Sequence, residues 1–236
     1  MLLEVCVDDV AALSAAMSGG ADRIELCSAL SLGGLTPSAG LMWEAAARDI
    51  PCYAMIRPAA GGFCYSREDI RILRGDIDSA QEAGLAGVVL GASLPDGRLD
   101  RKTLEKLVAH ADGLGLTLHR AFDLVPDWEE AIEIAVDLGF ERILTSGGRN
   151  SAIEGVDELE ALIGFADGRI SIMPGSGINP QSVAALVPRL KIEEIHASCS
   201  LAGPQSDQRL VSLGFSPPSS RRTDEATVRR LKSMVA

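Results

Sequence analysis

The sequence is poor in aromatic residues and in basic charge, and it contains no long apolar run. Phe, Trp and Tyr make up 4% of the 236 residues, so a core drawn from the 47% hydrophobic residues must be mostly aliphatic. No apolar run reaches the roughly 18 residues that a membrane span needs, so we expect no membrane segment. The formal net charge of −11 argues against a nucleic-acid partner, which would require a basic surface.

The sequence also lacks the cysteine patterns of a disulfide framework or a zinc site. Its five cysteines are scattered and include no CxxC pair. The first residues lead directly into an apolar segment without a basic stretch or a cleavage site, so we expect no secretory signal. Together these features predict free thiols and a cytoplasmic location. The cysteines are Cys6, Cys27, Cys52, Cys64 and Cys199.

Eight short apolar runs alternate with helix-like segments along the chain. This pattern predicts a single-domain (β/α)₈ barrel (a TIM barrel) over residues 1–236, a usual length for that fold. A Ser-, Pro- and Gly-rich stretch, Leu201–Arg222, is expected to form a long loop before a final helix, Asp224–Val235. The predicted strands are Leu2–Val7, Arg23–Cys27, Cys52–Arg57, Gly87–Leu90, Leu116–Arg120, Arg142–Thr145, Ile170–Met173 and Glu193–Ser198.

Charged and polar residues cluster at the downstream ends of these runs, where a TIM barrel carries its active site. Because side chains alternate along a strand, the polar set should point into the barrel and the apolar set toward the helices. One interpretation is an interior salt-bridge network of Glu4 and Glu25 with Arg23 and Arg57. The other is a pocket with acid–base groups and an anion clamp. The residues expected to line that pocket are Glu4, Cys6, Glu25, Cys27, Arg57 and His119.

The fifth run ends in the polar cluster His119-Arg120-Ala121-Phe122-Asp123. His119, Arg120 and Asp123 are candidate catalytic residues, because they combine a titratable ring with charges of both signs. Arg120 and Asp123 could instead pair with each other as a structural clamp.

Two Gly-rich turns are candidate anion-binding sites. Gly175-Ser176-Gly177 follows the seventh run, where barrels of this kind often bind phosphate through backbone N–H groups, although a plain tight turn would look the same. Ser146-Gly147 after the sixth run is a weaker case of the same pattern. The loop at 201–222 leaves from the same end of the barrel and could fold over the mouth.

Cys6 and Cys27 lie on neighbouring strands with the same inward parity. Their sulfurs could bind a soft ion such as Cu(I) as two thiolates, with Cys64 as a possible third ligand and Cys52 remote. The alternative is that they are small buried hydrophobic residues.

Several segments together resemble the copper homeostasis protein CutC family. They run through nearly the whole chain: Glu4-Val5-Cys6, 20–27 (GADRIELC), 33–38 (GGLTPS), Ile56-Arg57-Pro58, 61–66 (GGFCYS), 119–123 (HRAFD), 144–147 (LTSG) and Gly175-Ser176-Gly177-Ile178. The resemblance implies a TIM barrel, a cytoplasmic location, a homo-oligomer that is often a dimer, and a role in copper handling with Cu(I) at cysteines such as Cys27.

Two functions are therefore open. The first is a copper-homeostasis protein that binds Cu(I) through Cys6 and Cys27. The second is a barrel enzyme that acts by acid–base chemistry on a small anionic ligand, phosphorylated or sugar-derived. Glu4, Glu25, Arg57 and His119 favour the second, because a soft ion prefers sulfur ligands.

Overall fold

The computed structural model describes all residues, Met1–Ala236, and confirms the predicted barrel. Eight parallel strands form one sheet in the order β7-β6-β5-β4-β3-β2-β1-β8. β7 and β8 lie side by side without a hydrogen-bonded ladder, so the barrel is nearly closed. The strands are β1 Leu2–Val7, β2 Arg23–Leu26, β3 Cys52–Met55, β4 Gly87–Leu90, β5 Gly115–Leu118, β6 Arg142–Thr145, β7 Ser171–Pro174 and β8 Glu194–Ala197.

The helices follow the strands as predicted, and local signals set their ends. Ser66 and Asp69 form a capping box at the start of the third helix, and Gly84 ends that helix in the left-handed region. Asp9 and Asn179 cap two others. The helices are α1 Val10–Gly19, α2 Ala39–Ala46, α3 Arg67–Ala83, α4 Arg101–His110, α5 Trp128–Asp137, α6 Val156–Ala166, α7 Pro180–Leu186, α8 Gln208–Ser212 and α9 Glu225–Val235.

The stretch predicted as a long loop contains short regular elements. β9 (Ser200–Ala202) pairs antiparallel with β10 (Arg221–Thr223), and α8 lies between them. No side chain from 201 to 223 is buried. The final helix, α9, packs against α1, α7 and β1 and so completes the outer ring of helices.

The hydrophobic core lies between the strands and the helices, and it is almost entirely aliphatic, as the composition predicts. Inside the barrel the aromatic ring of Tyr53 is an exception. A Cβ atom at Gly87 or Gly115 would lie 2.3 or 2.2 Å from that ring or its hydroxyl, so glycine is required at both positions. No helix has both the length and the apolar character needed to cross a bilayer.

Candidate functional site

A cavity of about 690 Å³ opens at the carboxyl ends of the strands. It lies where TIM-barrel enzymes bind their substrates. The polar residues that line it are Cys6, Glu25, Arg57, His119, Arg120, Ser176, Asn179, Gln181, His196, Ser198, Cys199, Ser200, Arg221, Thr227 and Arg230.

Below the cavity lies an interior ion-pair network. Arg23 donates to the carboxylates of both Glu4 and Glu194, and Arg142 reaches Glu194 at 3.0 Å. These side chains are almost fully buried, so each charge depends on its partners. The salt-bridge interpretation is therefore right for Glu4 and Arg23. Arg57 forms no ion pair, and Glu25 reaches this network only through His196, at 3.8 Å. Glu4 does not line the cavity.

Glu25 is a buried carboxyl group at the cavity wall. Its Oε2 accepts the thiol of Cys27 at 3.5 Å and lies 3.8 Å from Nε2 of His196, whereas its Oε1 has no hydrogen-bond partner. Burial raises the pKa of Glu25, and the charge of His196 offsets this only in part. Burial therefore favours the protonated, uncharged form of this carboxyl group.

His196, on β8, belongs to the site but was not predicted from the sequence. Its Nδ1 donates to Oε1 of Glu4 at 2.8 Å. Burial opposes a charge on His196, but the neighbouring Glu25 and Cys6, together with the hydrogen bond to Glu4, hold its pKa well above the usual range. Although Glu4 is also buried, hydrogen bonds from His196 and Arg23 lower the pKa of Glu4 to about 2. Polar and apolar residues alternate in Glu194-Ile195-His196-Ala197. This alternation could have predicted His196, because Glu194 and His196 share the inward face of the strand.

His119 is a neutral histidine at the cavity wall. Burial, together with the charge of Arg57, lowers its pKa to about 3. Nδ1 accepts the backbone N–H of Ala121 at 3.1 Å, which places the remaining proton on Nε2, an atom without a partner. Gly91 makes room for the ring, since a Cβ there would lie 2.5 Å from it. His119 thus offers the cavity an N–H donor.

Arg57 brings a positive charge that no carboxylate neutralises. Its guanidinium donates to the carbonyls of Leu32, Gly34 and Gly61 at 2.8–3.0 Å, and its Nε has no partner. Phe63 lies under it, with 5.2 Å between the ring centre and the guanidinium carbon. Fixed carbonyl partners hold the side chain in place and leave its charge available to an anion.

Arg120 and Asp123 form the structural clamp. Nε of Arg120 donates to Asp123 at 2.6 Å, although Arg120 also lines the cavity. Asp123 accepts the N–H groups of Ser146 and Gly148, each at 3.0 Å. Gly147 donates to the Thr145 hydroxyl at 2.9 Å. The backbone N–H groups of Ser146 and Gly147, predicted to bind an anion, are therefore already used by acceptors of the protein itself.

The turn after β7 is different. Gly175 donates to the ladder carbonyl of Thr145 at 2.9 Å and is not in the lining. Ser176 and Gly177 do line the cavity, both with φ of 71°, and their N–H groups donate no hydrogen bond within the chain. Consecutive amides in this conformation can form an anion-binding concavity.

Cys6 and Cys27, the two cysteines predicted to bind Cu(I) together, differ in position, because only Cys6 lines the cavity. The sulfur of Cys6 and ligand atoms of Glu25 and His196 all lie within 4.8 Å of one another. Cys27 is fully buried and does not line the cavity. Burial and the adjacent Glu25 raise the pKa of Cys27 well above its usual value, so this thiol keeps its proton. Cys64 is exposed and lies outside the lining.

Comparison with known proteins agrees with this architecture. The family model "CutC family" matches residues 1–201. A family protein CutC from Rhizobium meliloti (strain 1021) is 65% identical over 98% of this chain and 94% of its own length. The corresponding Agrobacterium fabrum protein is 57% identical over 100% and 94%.

Solved structures show the same relationship. The crystal structure of a CutC protein from Streptococcus agalactiae has a TM-score of 0.80 at 33% identity, covering 84% of this chain and 98% of that one. A thiamine phosphate pyrophosphorylase from Pyrococcus furiosus, at 15% identity and a TM-score of 0.61, shares the fold alone. The chain therefore belongs to the CutC family.

Proposed function

We propose that the protein is an enzyme that binds a small anionic organic substrate and acts on it by acid–base chemistry. The observation that carries this proposal is a set of three buried polar atoms without partners, all on residues of one cavity wall: Glu25 Oε1, Arg57 Nε and His119 Nε2. An unsatisfied buried polar group costs about 1–3 kcal/mol. These atoms are themselves buried, so a ligand would pair with them as the side chains turn toward the cavity, and pairing would recover that free energy.

The anchoring roles follow from charge. Arg57 has no carboxylate partner, so it would bind an anionic group of the substrate. His119, neutral above about pH 3, would donate Nε2–H to a carbonyl or hydroxyl oxygen. Three further cationic side chains, Arg120, Arg221 and Arg230, line the cavity, against the single carboxyl group of Glu25. The cavity is thus basic although the whole chain carries a net charge of −11.

The proton-transfer roles fall to Glu25 and His196. A carboxyl group whose pKa is raised by burial, as that of Glu25 is, is suited to general acid–base catalysis. His196 is fixed by Glu4 and carries a positive charge, so it would stabilise negative charge that develops on the substrate. This division assigns proton transfer to Glu25 and electrostatic stabilisation to His196.

Ligand screening tests this proposal. Thermal shift of the full chain with a panel of phosphorylated sugars and small carboxylic acids should identify compounds that raise Tm. Arg57→Gln should abolish these shifts, and the exposed Arg98→Gln should leave them unchanged. For a compound that is turned over, Glu25→Gln should lower kcat by at least about 10²-fold with little change in KM. Shifts that survive in Arg57→Gln would contradict the proposal.

A second candidate function is copper handling, favoured by the cluster of Cys6, Glu25 and His196 and by the name of the Streptococcus agalactiae relative, which refers to copper homeostasis. Thiolate and imidazole are ligands that copper accepts. Anaerobic Cu(I) titration against a competing chelator tests it. Cys6→Ser and His196→Gln should each weaken binding, whereas Cys52→Ser serves as the control. Equal affinity in all variants would show that copper binds elsewhere. The expected cytoplasmic location and homodimer stay predictions.

A further inference from the structure

The end of the chain contributes side chains to the cavity. Arg221 lies on β10, and Thr227 and Arg230 lie on α9; all three belong to the lining. The family model ends at residue 201, so these residues lie outside the part of the chain that it matches. The Rhizobium meliloti and Agrobacterium fabrum relatives match 98% and 100% of this chain.

α9 holds its part of the wall rigidly. Val228, Leu231 and Val235 are at most 4% exposed and pack in the main core, against elements that include α1 and α7. Asp224 caps the helix and accepts the N–H of Thr227 at 2.8 Å. Because the apolar face is fixed, Arg230 on the same helix has a defined position at the mouth.

Arg230 is available for a ligand. It forms no salt bridge, whereas its neighbour Arg229 pairs with Glu225 on the same helix. Ser176 and Gly177, on the same cavity, contribute two unused N–H donors. An unpaired guanidinium and free backbone amides form the donor set that recognises a phosphate group.

The Ser176 and Gly177 amides lie across the cavity from Arg57. Ser176 and Gly177 follow β7, and Arg57 follows β3, so the two walls are four strands apart in a ring of eight. α9, which carries Arg230, packs against both α7 and α1 and so lies between the β7 and β1 sides of the ring. Glu25 and His196 lie on β2 and β8, on the half of the ring that runs from β3 to β7 through β1.

We propose that residues 202–236 build a second anion subsite of this cavity, in which Arg230 binds a phosphate group with the help of the Ser176 and Gly177 amides. The substrate would then carry two anionic groups, one at Arg57 and a phosphate at Arg230. The substrate class rests on the proposed function, and the phosphate subsite itself rests only on the C-terminal wall. Relatives without an equivalent of Arg230 would bind substrates with a single anchor.

Calorimetric titration of the full chain with inorganic phosphate tests the subsite. Arg230→Gln should weaken phosphate binding by about tenfold or more, since a charge-assisted hydrogen bond is lost. Arg229→Gln, the adjacent change on the same helix, should leave it within about twofold. Arg230→Lys should restore part of the affinity, which a purely structural role would not predict.

The outcomes separate this inference from the proposed function. If wild type binds no phosphate, or if Arg230→Gln binds it as wild type does, the subsite is refuted. If Arg57→Gln then still abolishes the thermal shifts with organic anions, the proposed function stands. If Arg230→Gln alone weakens phosphate binding while organic anions give no Arg57-dependent shift, the subsite stands and the proposed function fails.

Discussion

Glu4 is the buried carboxylate that joins the structural layer of the barrel to the cavity above it. It binds Arg23 on one side and His196 on the other. Glu4→Gln should lower the free energy of unfolding by about 3–5 kcal/mol, because it breaks a buried charge network. Glu44→Gln, which removes the exposed partner of Arg48, should cost less than about 0.5 kcal/mol. Urea denaturation measures both, and equal small losses would show that the network does not stabilise the fold.

His119 should make the fold sensitive to mild acid. Its pKa is lowered to about 3 in the folded protein, whereas an unfolded histidine titrates near 6.5. Between these values the unfolded chain binds the extra proton, so this contribution to stability is present above pH 6.5 and lost as pH falls. From pH 7 to 5 the loss amounts to about 2 kcal/mol.

The variant His119→Asn measures the contribution of His119 to the pH dependence of stability. Asparagine can accept the Ala121 N–H but does not titrate, so the variant should lose less stability than wild type between pH 7 and 5. Urea denaturation at the two pH values gives the difference directly. His196 is present in both proteins, so its contribution to the pH dependence cancels when the variant is compared with wild type. A pH dependence identical to wild type would mean that His119 is protonated in the fold.

Inward-facing residues were predictable from strand alternation, but their depth in the barrel was not. Alternation correctly placed Glu25 and His119 at the cavity. Glu4 has the same parity, yet it pairs in register with Arg23, one pleat below the level of Cys6 and Glu25. Depth depends on the stagger between strands, which a single strand's sequence does not encode.

At the scale of elements, the contact between α1 and α9 depends on a glycine. A Cβ atom at Gly19 would lie 2.4 Å from Cβ of Val228, so Gly19→Ala should destabilise the fold by about 1–3 kcal/mol. Gly75, inside α3, has open space around it, and Gly75→Ala should stabilise by about 0.5–1 kcal/mol. Thermal unfolding of the two variants should shift Tm in opposite directions. A higher Tm in both variants would show that α1 and α9 can move apart without a loss of stability.

The barrel strands and the long helices were predictable because each repeats a strong local pattern. All eight strands were found within a few residues of the expected ends. The elements between residues 200 and 223 were missed, because two three-residue strands and a five-residue helix have no pattern of their own. Arg230 was missed for a related reason, since only the packing of α9 brings this distant part of the chain to the mouth.

On the scale of the whole molecule, the chain combines a nearly closed, well-packed barrel with a cavity that is open at the carboxyl ends of the strands. The apolar side chains outside the strands hold the helices, and the ion pairs inside hold the lower barrel. Polar groups left without partners occur mainly at the upper end. Because of this separation, residues of β9, β10 and α9 at the mouth of the cavity can be substituted without a change in the packing of the barrel.

The last helix should nevertheless be indispensable to the fold, even though the family model ends before it. A chain that stops after residue 201 would lose Val228, Leu231 and Val235 and expose their partners on α1, α7 and β1. Each such side chain contributes about 1.5–3 kcal/mol, a sum comparable to the whole stability of a domain. We expect the truncated chain to show no cooperative unfolding transition by circular dichroism.

The matched control replaces 205–218, where no side chain is buried, with a short Gly/Ser linker and should unfold cooperatively near the wild-type Tm. Cooperative unfolding of the truncated chain would show that α9 serves the rim of the cavity alone.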